Sequence, residues 1–168
     1  MEERVSYDED FYAWSQHQAA VLRELAARRD LPNDLDVEHV AEEIEDVGNA
    51  ELNSVRSFLR NMLAHMIKVA SSSSAEPGNH WFEEIIRFRL DAVARYSRSM
   101  RQNIDVQEIW ELAIQQAQAG LRPHGEQLAP HIPQRCPFGL DELLARAFDA
   151  DAALARLAPG IEPGSNGA

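Results

Sequence analysis

The sequence predicts an all-α fold, a single-domain helical bundle of about four main helices. Its apolar residues recur at intervals of three and four along most of the chain, which is the period of an amphipathic helix. No long stretch alternates apolar and polar residues, as a half-buried strand would. With 168 residues, 45% of them apolar, the chain is long enough to bury a core without disulfides or a structural metal.

The first helix is expected to begin near Asp8 or Asp10, since either carboxylate can cap its first turn, and to end near Asp30. Its inward stripe is predicted to consist of Phe11, Trp14, Gln18, Val21, Leu22 and Leu25. Pro32 and Asn33 then indicate a short connection.

The second helix is predicted to start after Asp36 as its N-cap, with an apolar side and an acidic side. Its apolar side comprises Val37, Val40, Ala41, Ile44 and Val47. Gly48 leaves two alternatives, a C-cap that ends the helix or an interior residue of a longer one. The apolar period continues in phase beyond Gly48, which favours one helix over residues 36–70, with residues 58–70 the most buried part.

The serine-rich residues 71–78 predict a mobile loop, after which Asn79 can cap a third helix that fades by Asn103. The inward positions of this helix are expected to be Phe82, Ile85, Phe88, Ala92, Tyr96 and Met100, with Trp81 flanking them.

A fourth helix is predicted to begin with a capping box formed by Asp105 and Glu108 and to end at Gly120 as its C-cap. Residues 121–139 contain four prolines and should form a largely extended strap, anchored by Leu128, Ile132 and Phe138. A short helix over residues 141–148, with an extension to Leu157 left open, should follow. The predicted domain covers residues 1–158, and residues 159–168 are expected to be a flexible tail.

Charge and cysteine content restrict the classes of function. The formal net charge of -12 at pH 7 disfavours non-specific binding to nucleic acid. A single cysteine cannot form an internal disulfide, and residues 1–10 lack the apolar segment of a secretory signal, so we expect a cytoplasmic protein. No apolar run is long enough to span a membrane.

The common catalytic and ligand-binding motifs are absent, so no catalytic residue, cofactor or metal is predicted. No two glycines lie two residues apart, which excludes the dinucleotide fingerprint G-x-G-x-x-G, and Gly120 to Gly125 is followed by Glu126 where a phosphate loop has lysine. No G-x-S-x-G sequence occurs. None of the six histidines lies three or four residues from another, and the sequence Asp36-x-x-His39 is explained by a helix cap.

The most conspicuous group of charged residues is acidic and lies in the second helix. Together with a histidine and a lysine further along, it forms a tentative functional cluster of Glu42, Glu45, Asp46, His65 and Lys68. In one continuous helix Glu42 and His65 would lie about 34 Å apart, too far to share one ion. The acidic residues are therefore expected to be a solvated face, His65 a core histidine and Lys68 a side chain extending towards solvent.

Basic residues of the third helix form a second candidate surface. Four arginines, expected within one sector of that helix, could bind an anion or an acidic partner: Arg87, Arg95, Arg98 and Arg101. The favoured interpretation is that they pair with the acidic side of the second helix. Cys136 follows Arg135, but no histidine is near it in sequence to act as a base, which disfavours a catalytic thiol.

Several of these segments, taken together, resemble one protein family. They are residues 7–14, Glu42-Glu43-Ile44-Glu45 with Gly48, His65 with Lys68, Trp81, and Cys136-Pro137-Phe138 before residues 140–148. The chain resembles the domain-of-unknown-function family numbered twenty-nine over about residues 5–150. The resemblance implies a helical bundle and an intracellular bacterial protein, and it carries over no catalytic residue.

The sequence therefore favours a non-enzymatic interaction or regulatory module with an unknown protein partner or a second copy of the chain, and no membrane or nucleic acid. The alternative is a metal-dependent or other hydrolase, with a site assembled across helices or subunits around Glu42, Glu45 and His65. A third possibility, binding of nucleic acid through the arginines, would require strongly salt-dependent retention on a phosphate matrix.

Overall fold

The fold is all-α, as the periodicity predicts, in a computed structural model that describes residues 5–28, 30–73 and 75–158. Within these ranges the chain forms six α-helices and two short 3₁₀ segments, and no strand. The helices are α1 (Phe11–Ala26), α2 (Val37–Ser71), α3 (Ala75–Arg95), α4 (Val106–Leu121), α5 (Leu140–Leu144) and α6 (Ala150–Leu157). The first four are the main helices that the sequence predicts.

The chain divides into two compact units. The first unit contains the residues up to Val55 together with Arg95–Ile104, and the second contains Arg56–Ala94 together with the residues from Asp105 onward. Each unit is described separately below. None of the helices in the described ranges combines the length and apolar content needed to cross a membrane.

In the first unit, α1 begins after Asp10, whose carboxylate accepts a hydrogen bond from the backbone N–H of Ala13 at 2.9 Å. The cap is as predicted, but the buried positions differ from the predicted stripe. The residues of α1 that become buried are Tyr12, Ser15 and Ala19. Asp10 also accepts a hydrogen bond from Ser99 Oγ at 2.7 Å, which ties the start of α1 to the 3₁₀ segment Arg98–Asn103.

Helix α2 is continuous through Gly48, which confirms the favoured alternative. Asp36 caps it, because its Oδ1 accepts a hydrogen bond from the backbone N–H of His39 at 3.2 Å. Gly48 is buried, and Ser15 of α1 occupies the space where a side chain at this position would lie. The glycine therefore permits a close approach of two helices and does not end one.

In the second unit, the second half of α2 is a highly buried segment, as predicted. Its side chains without any exposed surface are Leu59, Met62, Leu63, Ala64, Met66 and Ile67. Such a segment is apolar on most sides and is therefore surrounded by other elements.

The start and end of α3 differ from the sequence prediction. The loop expected at residues 71–78 is shorter than predicted, because α2 extends to Ser71 and α3 already begins at Ala75. Pro77 is compatible with this start, since the N–H groups of a first helical turn have no partner within the helix. α3 then stops at Arg95, and the expected continuation to Asn103 is the separate 3₁₀ segment Arg98–Asn103.

Helix α4 begins at Asp105 as predicted, but Gly120 is not its cap. Asp105 Oδ1 accepts hydrogen bonds from the backbone N–H groups of Gln107 and Glu108. Gly120 lies inside α4, where a Cβ would be 3.1 Å from Lys68 Cδ. The left-handed residue is Gly125, with φ of 70°, after a 3₁₀ turn at Arg122–His124.

The strap, residues 121–139, packs through Ile132 and Phe138, which are buried, and Leu128, which is half-buried. Indole Nε1 of the fully buried Trp110 donates a hydrogen bond to the carbonyl of Pro133 at 2.9 Å. After the strap the chain forms two short helices, α5 and α6, with Asp149 capping α6. The predicted tail, residues 159–168, lies outside the described residues, and the predicted domain boundary stays a prediction.

Candidate functional site

An apolar groove lies between α1 and the first half of α2, within the first unit. It has a volume of about 410 Å³ and is lined by Phe11, Trp14, Asp36, His39, Val40, Glu43, Ile44 and Val47. Its floor is apolar, and we refer to Asp36 and Glu43 as its acidic rim. The groove is open to solvent, since the side chains of Val40 and Val47 are 42% and 52% exposed.

The groove exists because the first half of α2 is apolar over a wider sector than α1 covers. The buried line of this half runs through Val37, Ala41 and Gly48. A second line, Val40, Ile44 and Val47, has the spacing of one helix face and is left outside the packed contact. The predicted apolar side is therefore covered only in part, since Val37 and Ala41 are buried whereas Val40 and Val47 are exposed.

Aromatic side chains form the α1 side of the groove and its extension. The rings of Phe11 and Trp14 stack with centroids 5.8 Å apart. Tyr7 packs edge-on against both rings, at 5.2 Å from Phe11 and 4.9 Å from Trp14, and is itself 56% exposed. Three adjacent rings with accessible surface are typical of sites that bind an apolar partner.

Two residues at one end of the groove form a charge pair. His39 Nδ1 lies 2.6 Å from Asp36 Oδ2. The hydrogen bond to Asp36 raises the pKa of His39, and the same bond lowers the pKa of Asp36. Glu43, one turn further along α2, is exposed and forms no ion pair with any residue in the described ranges.

The acidic members of the tentative functional cluster lie on the surface of the first unit. Glu42 and Asp46 are exposed. Glu45 is half-buried and paired with Arg23 of α1 at 2.5 Å, and this hydrogen bond lowers the pKa of the Glu45 carboxyl. Because His65 and Lys68 belong to the second unit, a site shared by all five residues stays a prediction.

His65 is half-buried in the second unit. Its Nδ1 lies 2.7 Å from the carbonyl oxygen of Asn61, and its ring tilts against Phe88 with centroids 5.5 Å apart. Burial lowers its pKa, with a smaller contribution in the same direction from Lys68. These contacts are those of a packed histidine that is held neutral near pH 7.

Lys68 is half-buried and lies against aromatic and backbone surface. Its Nζ lies 4.8 Å from the centroid of the Trp81 ring, and its aliphatic chain packs over Gly120. Burial lowers the pKa of Lys68, while the charge of Glu84 acts in the opposite direction. A cation over an aromatic face accounts for the charge of this amine without a ligand.

The four predicted arginines do not form one helical stripe, because α3 ends at Arg95. Arg95 pairs with Glu51 of α2 at 3.0 Å, in line with the favoured pairing, whereas Arg87 pairs with Glu84 of its own helix. Arg98 and Arg101 follow in the 3₁₀ segment Arg98–Asn103. A role for any of the four as an anion or partner patch stays a prediction.

Arg89, a buried arginine of α3, was not among the residues predicted for a site. It is 9% exposed, its Nε donates to the carbonyl of Leu143 at 3.2 Å, and its Nη2 donates to the carbonyl of Ala145. Its guanidinium also lies over the ring of Phe148. The spacing of residues along α3 could have indicated that this side chain is buried, because Arg89 lies one turn after Ile85 on the line that becomes buried.

The remaining chemistry-bearing groups do not form a recognisable site. Cys136 is half-buried, burial raises the pKa of its thiol, and its Sγ lies 3.5 Å from the carbonyl oxygen of Phe138. Within residues 5–28, 30–73 and 75–158, no group of three or more His, Cys, Asp or Glu side chains is arranged to hold a metal ion.

Comparison with known proteins identifies the family of this chain but assigns no activity to it. A solved structure, of an alpha-helical protein of unknown function from Rhodospirillum rubrum, is 35% identical and superposes with a TM-score of 0.87. The match covers 94% of this chain and 100% of that one. No curated protein matches the chain. The family model described as a domain of unknown function, DUF29, matches residues 6–149, and the chain therefore belongs to this family.

Proposed function

We propose that this protein is a non-enzymatic interaction module whose apolar groove binds an amphipathic helix of a partner protein. The observation that carries the proposal is the exposure of Val40 and Val47 beside the Phe11 and Trp14 rings. Burying such surface under a partner removes apolar area from water, which is the main favourable contribution to protein association.

The shape and spacing of the groove support a helical occupant. Val40, Ile44 and Val47 repeat at intervals of four and three along α2, and the rings of α1 form the opposite wall. A groove between two helices accepts the apolar face of a third helix, with anchors at the same spacing.

A second copy of this chain fits the groove less well. A two-fold interface places the same patch of both subunits together, so that the acidic rims of two copies, formed by Asp36 and Glu43, would lie in one interface. Like charges opposed across an interface disfavour association. Self-association is therefore an outcome for the experiment to detect, not the proposed state.

The hydrolase alternative has no comparable support. It requires Glu42, Glu45 and His65 to act together, and the Glu45 carboxylate is already paired with Arg23. The proposal of an interaction module therefore stands on a formed groove, whereas the hydrolase would require a site that neither unit contains by itself.

The test is a selection of helical peptides against the full chain, from a library of amphipathic helices with randomised polar positions. Selected peptides should bind the wild type and lose at least about tenfold in affinity on Val40→Glu. The matched control is Val93→Glu on α3, because Val93 is 39% exposed and Val40 is 42% exposed. The control should change affinity by less than about twofold.

Methyl NMR spectra of the wild type then locate the peptide. Shift changes at Val40, Ile44 and Val47, with none at Val93, would support the proposal. It would be wrong if the selection yielded no binder, or if every selected peptide bound the Val40→Glu and Val93→Glu variants equally well.

A further inference from the structure

We infer that the helix bound in the apolar groove is basic, with lysine or arginine flanking its apolar face. This inference rests on the proposed function and names the chemistry of the partner. It comes from the charges of the groove lining, which contains the carboxylates of Asp36 and Glu43 and no lysine or arginine.

The acidic rim is the part of an acidic sequence that faces the groove. Between Val37 and Val47 the chain has five acidic residues, which are Glu38, Glu42, Glu43, Glu45 and Asp46, and no lysine or arginine. Of the groove lining, Asp36 and Glu43 carry carboxylates and His39 carries the only group able to become positive. A partner helix lying on Val40 and Val47 would place its polar edge beside Asp36 and Glu43, whereas Glu42 lies about 200° around α2 from Val40 and faces away from the groove.

Two of the local carboxylates already have a positive or titratable partner. Glu45 pairs with Arg23, and Asp36 with His39. Glu43 is the lining carboxylate that forms no ion pair with any described residue, and it lies between Val40 and Val47 on α2. Glu43 is therefore the residue best placed to select a basic side chain next to the apolar anchors of the partner.

The expected size of this selection is moderate. Exposed ion pairs contribute little individually, so a single rim pair should change affinity by about twofold to fivefold. The two rim carboxylates, together with the long-range field of a chain with a formal net charge of -12, should produce a preference of about tenfold for a basic over an acidic partner, mainly at low salt.

The experiment uses three synthetic helical peptides with the same apolar residues and length. Their flanking positions carry lysine, glutamine or glutamate, and their affinities for the full chain are measured at low and physiological salt. The lysine peptide should bind most tightly and the glutamate peptide most weakly, with a ratio of about tenfold that shrinks as salt increases.

Substitutions of Glu43 test whether the acidic rim causes the preference for the lysine peptide. Glu43→Gln should reduce the preference for the lysine peptide by about twofold to fivefold, and Glu43→Lys should favour the glutamate peptide. The control is Glu83→Gln, an exposed carboxylate of α3, which should leave the preference unchanged. Circular dichroism of each variant checks that an affinity change does not come from unfolding.

The outcomes separate the inference from the proposed function. If the glutamine peptide binds at the groove and the lysine and glutamate peptides bind equally well, the inference is wrong and the interaction module stands. If no peptide binds the wild type, or if Val40→Glu leaves all three affinities unchanged, both are wrong. If the chain dimerises and Val40→Glu abolishes the dimer, a second copy covers the groove and the basic partner is excluded.

Discussion

Gly48 of α2 lies directly against Ser15 of α1. A Cβ built on Gly48 would be 1.8 Å from Ser15 Oγ and 2.9 Å from Ser15 Cβ, and both residues are buried. The hydroxyl of Ser15 is itself fixed, because it donates to the carbonyl of Tyr12 at 2.8 Å. This contact explains why a glycine lies in the middle of the longest helix.

Gly48→Ala should destabilise the protein by about 2 kcal/mol, although alanine in an ordinary helix interior gains about 1 kcal/mol over glycine. The new methyl group would displace Ser15 and separate α1 from α2. Urea unfolding followed by circular dichroism measures the change. Adding Ser15→Ala should recover only part of the loss, because the Cβ of residue 15 remains 2.9 Å away.

Gly139→Ala is the control for the glycine effect. Gly139 has a φ of −87°, and a Cβ there would meet no atom within 4 Å. This variant should change the free energy of unfolding by less than about 1 kcal/mol. Equal effects of the two substitutions would show that α1 and α2 do not pack closely at Gly48.

Arg89→Ala should destabilise the protein by about 2–4 kcal/mol. The substitution leaves the carbonyls of Leu143 and Ala145 at the end of α5 without their donors and removes the stacking on Phe148. Arg89→Lys should recover only part of this, because one ammonium group cannot reproduce the planar arrangement of donors.

The matched control is Arg87→Ala, two residues earlier on the same helix. Arg87 is exposed and pairs with Glu84 on the surface, so its loss should cost less than about 1 kcal/mol. Chemical denaturation of the three variants compares them. A smaller effect at Arg89 than at Arg87 would contradict the anchoring role.

Trp110→Phe should loosen the strap, because the ring of phenylalanine cannot donate to the carbonyl of Pro133. The loss of this buried hydrogen bond and of side-chain volume should cost about 2 kcal/mol. Limited proteolysis should cut residues 121–139 faster than in the wild type. Trp14→Phe, in the first unit, should leave cleavage of the strap unchanged.

His65 should make stability decrease on acidification. Its pKa in the folded protein is lowered by burial below the usual 6.5, so between the two values the unfolded chain binds more protons than the folded one. The free energy of unfolding therefore rises with pH across this window and falls as the pH drops through it. His65→Gln should flatten this dependence in urea titrations at about pH 5 to 7.5.

His39 should have the opposite effect on the pH dependence of stability. Its pKa is raised by the hydrogen bond to Asp36, so the pair stabilises the folded protein below the usual pKa of histidine and loses this effect as pH rises through the folded value. His39→Gln should therefore remove a stabilising contribution on the acidic side. The same direction of change in the His39 and His65 variants would contradict one of the two assignments.

From the sequence we predicted the features of the fold that depend on residues close together along the chain. The caps at Asp10, Asp36 and Asp105 and the continuity of α2 follow from local hydrogen bonding and from helical periodicity. The start of α3 was mispredicted, because serine, proline and glycine content resembles a loop while a first helical turn also accepts Pro77.

The candidate site was predicted only in part. Val40, Ile44 and Val47 were recognised as an apolar line of α2, but periodicity does not tell which of two adjacent lines is covered by a neighbour. Arg89 was missed for a related reason, since its carbonyl partners lie more than 50 residues away in sequence. Contacts with residues so distant in sequence cannot be predicted from the spacing of residues along one helix.

Local sequence specifies that the chain is helical, where α1, α2 and α4 begin, and that α2 has one strongly acidic side. These properties follow from backbone hydrogen bonding and side-chain period, which act over a few residues. The contact of Gly48 with α1 and the exposure of Val40 and Val47 depend instead on how the helices pack. Burial depends on which helix packs against which face, and that is a property of the folded chain as a whole.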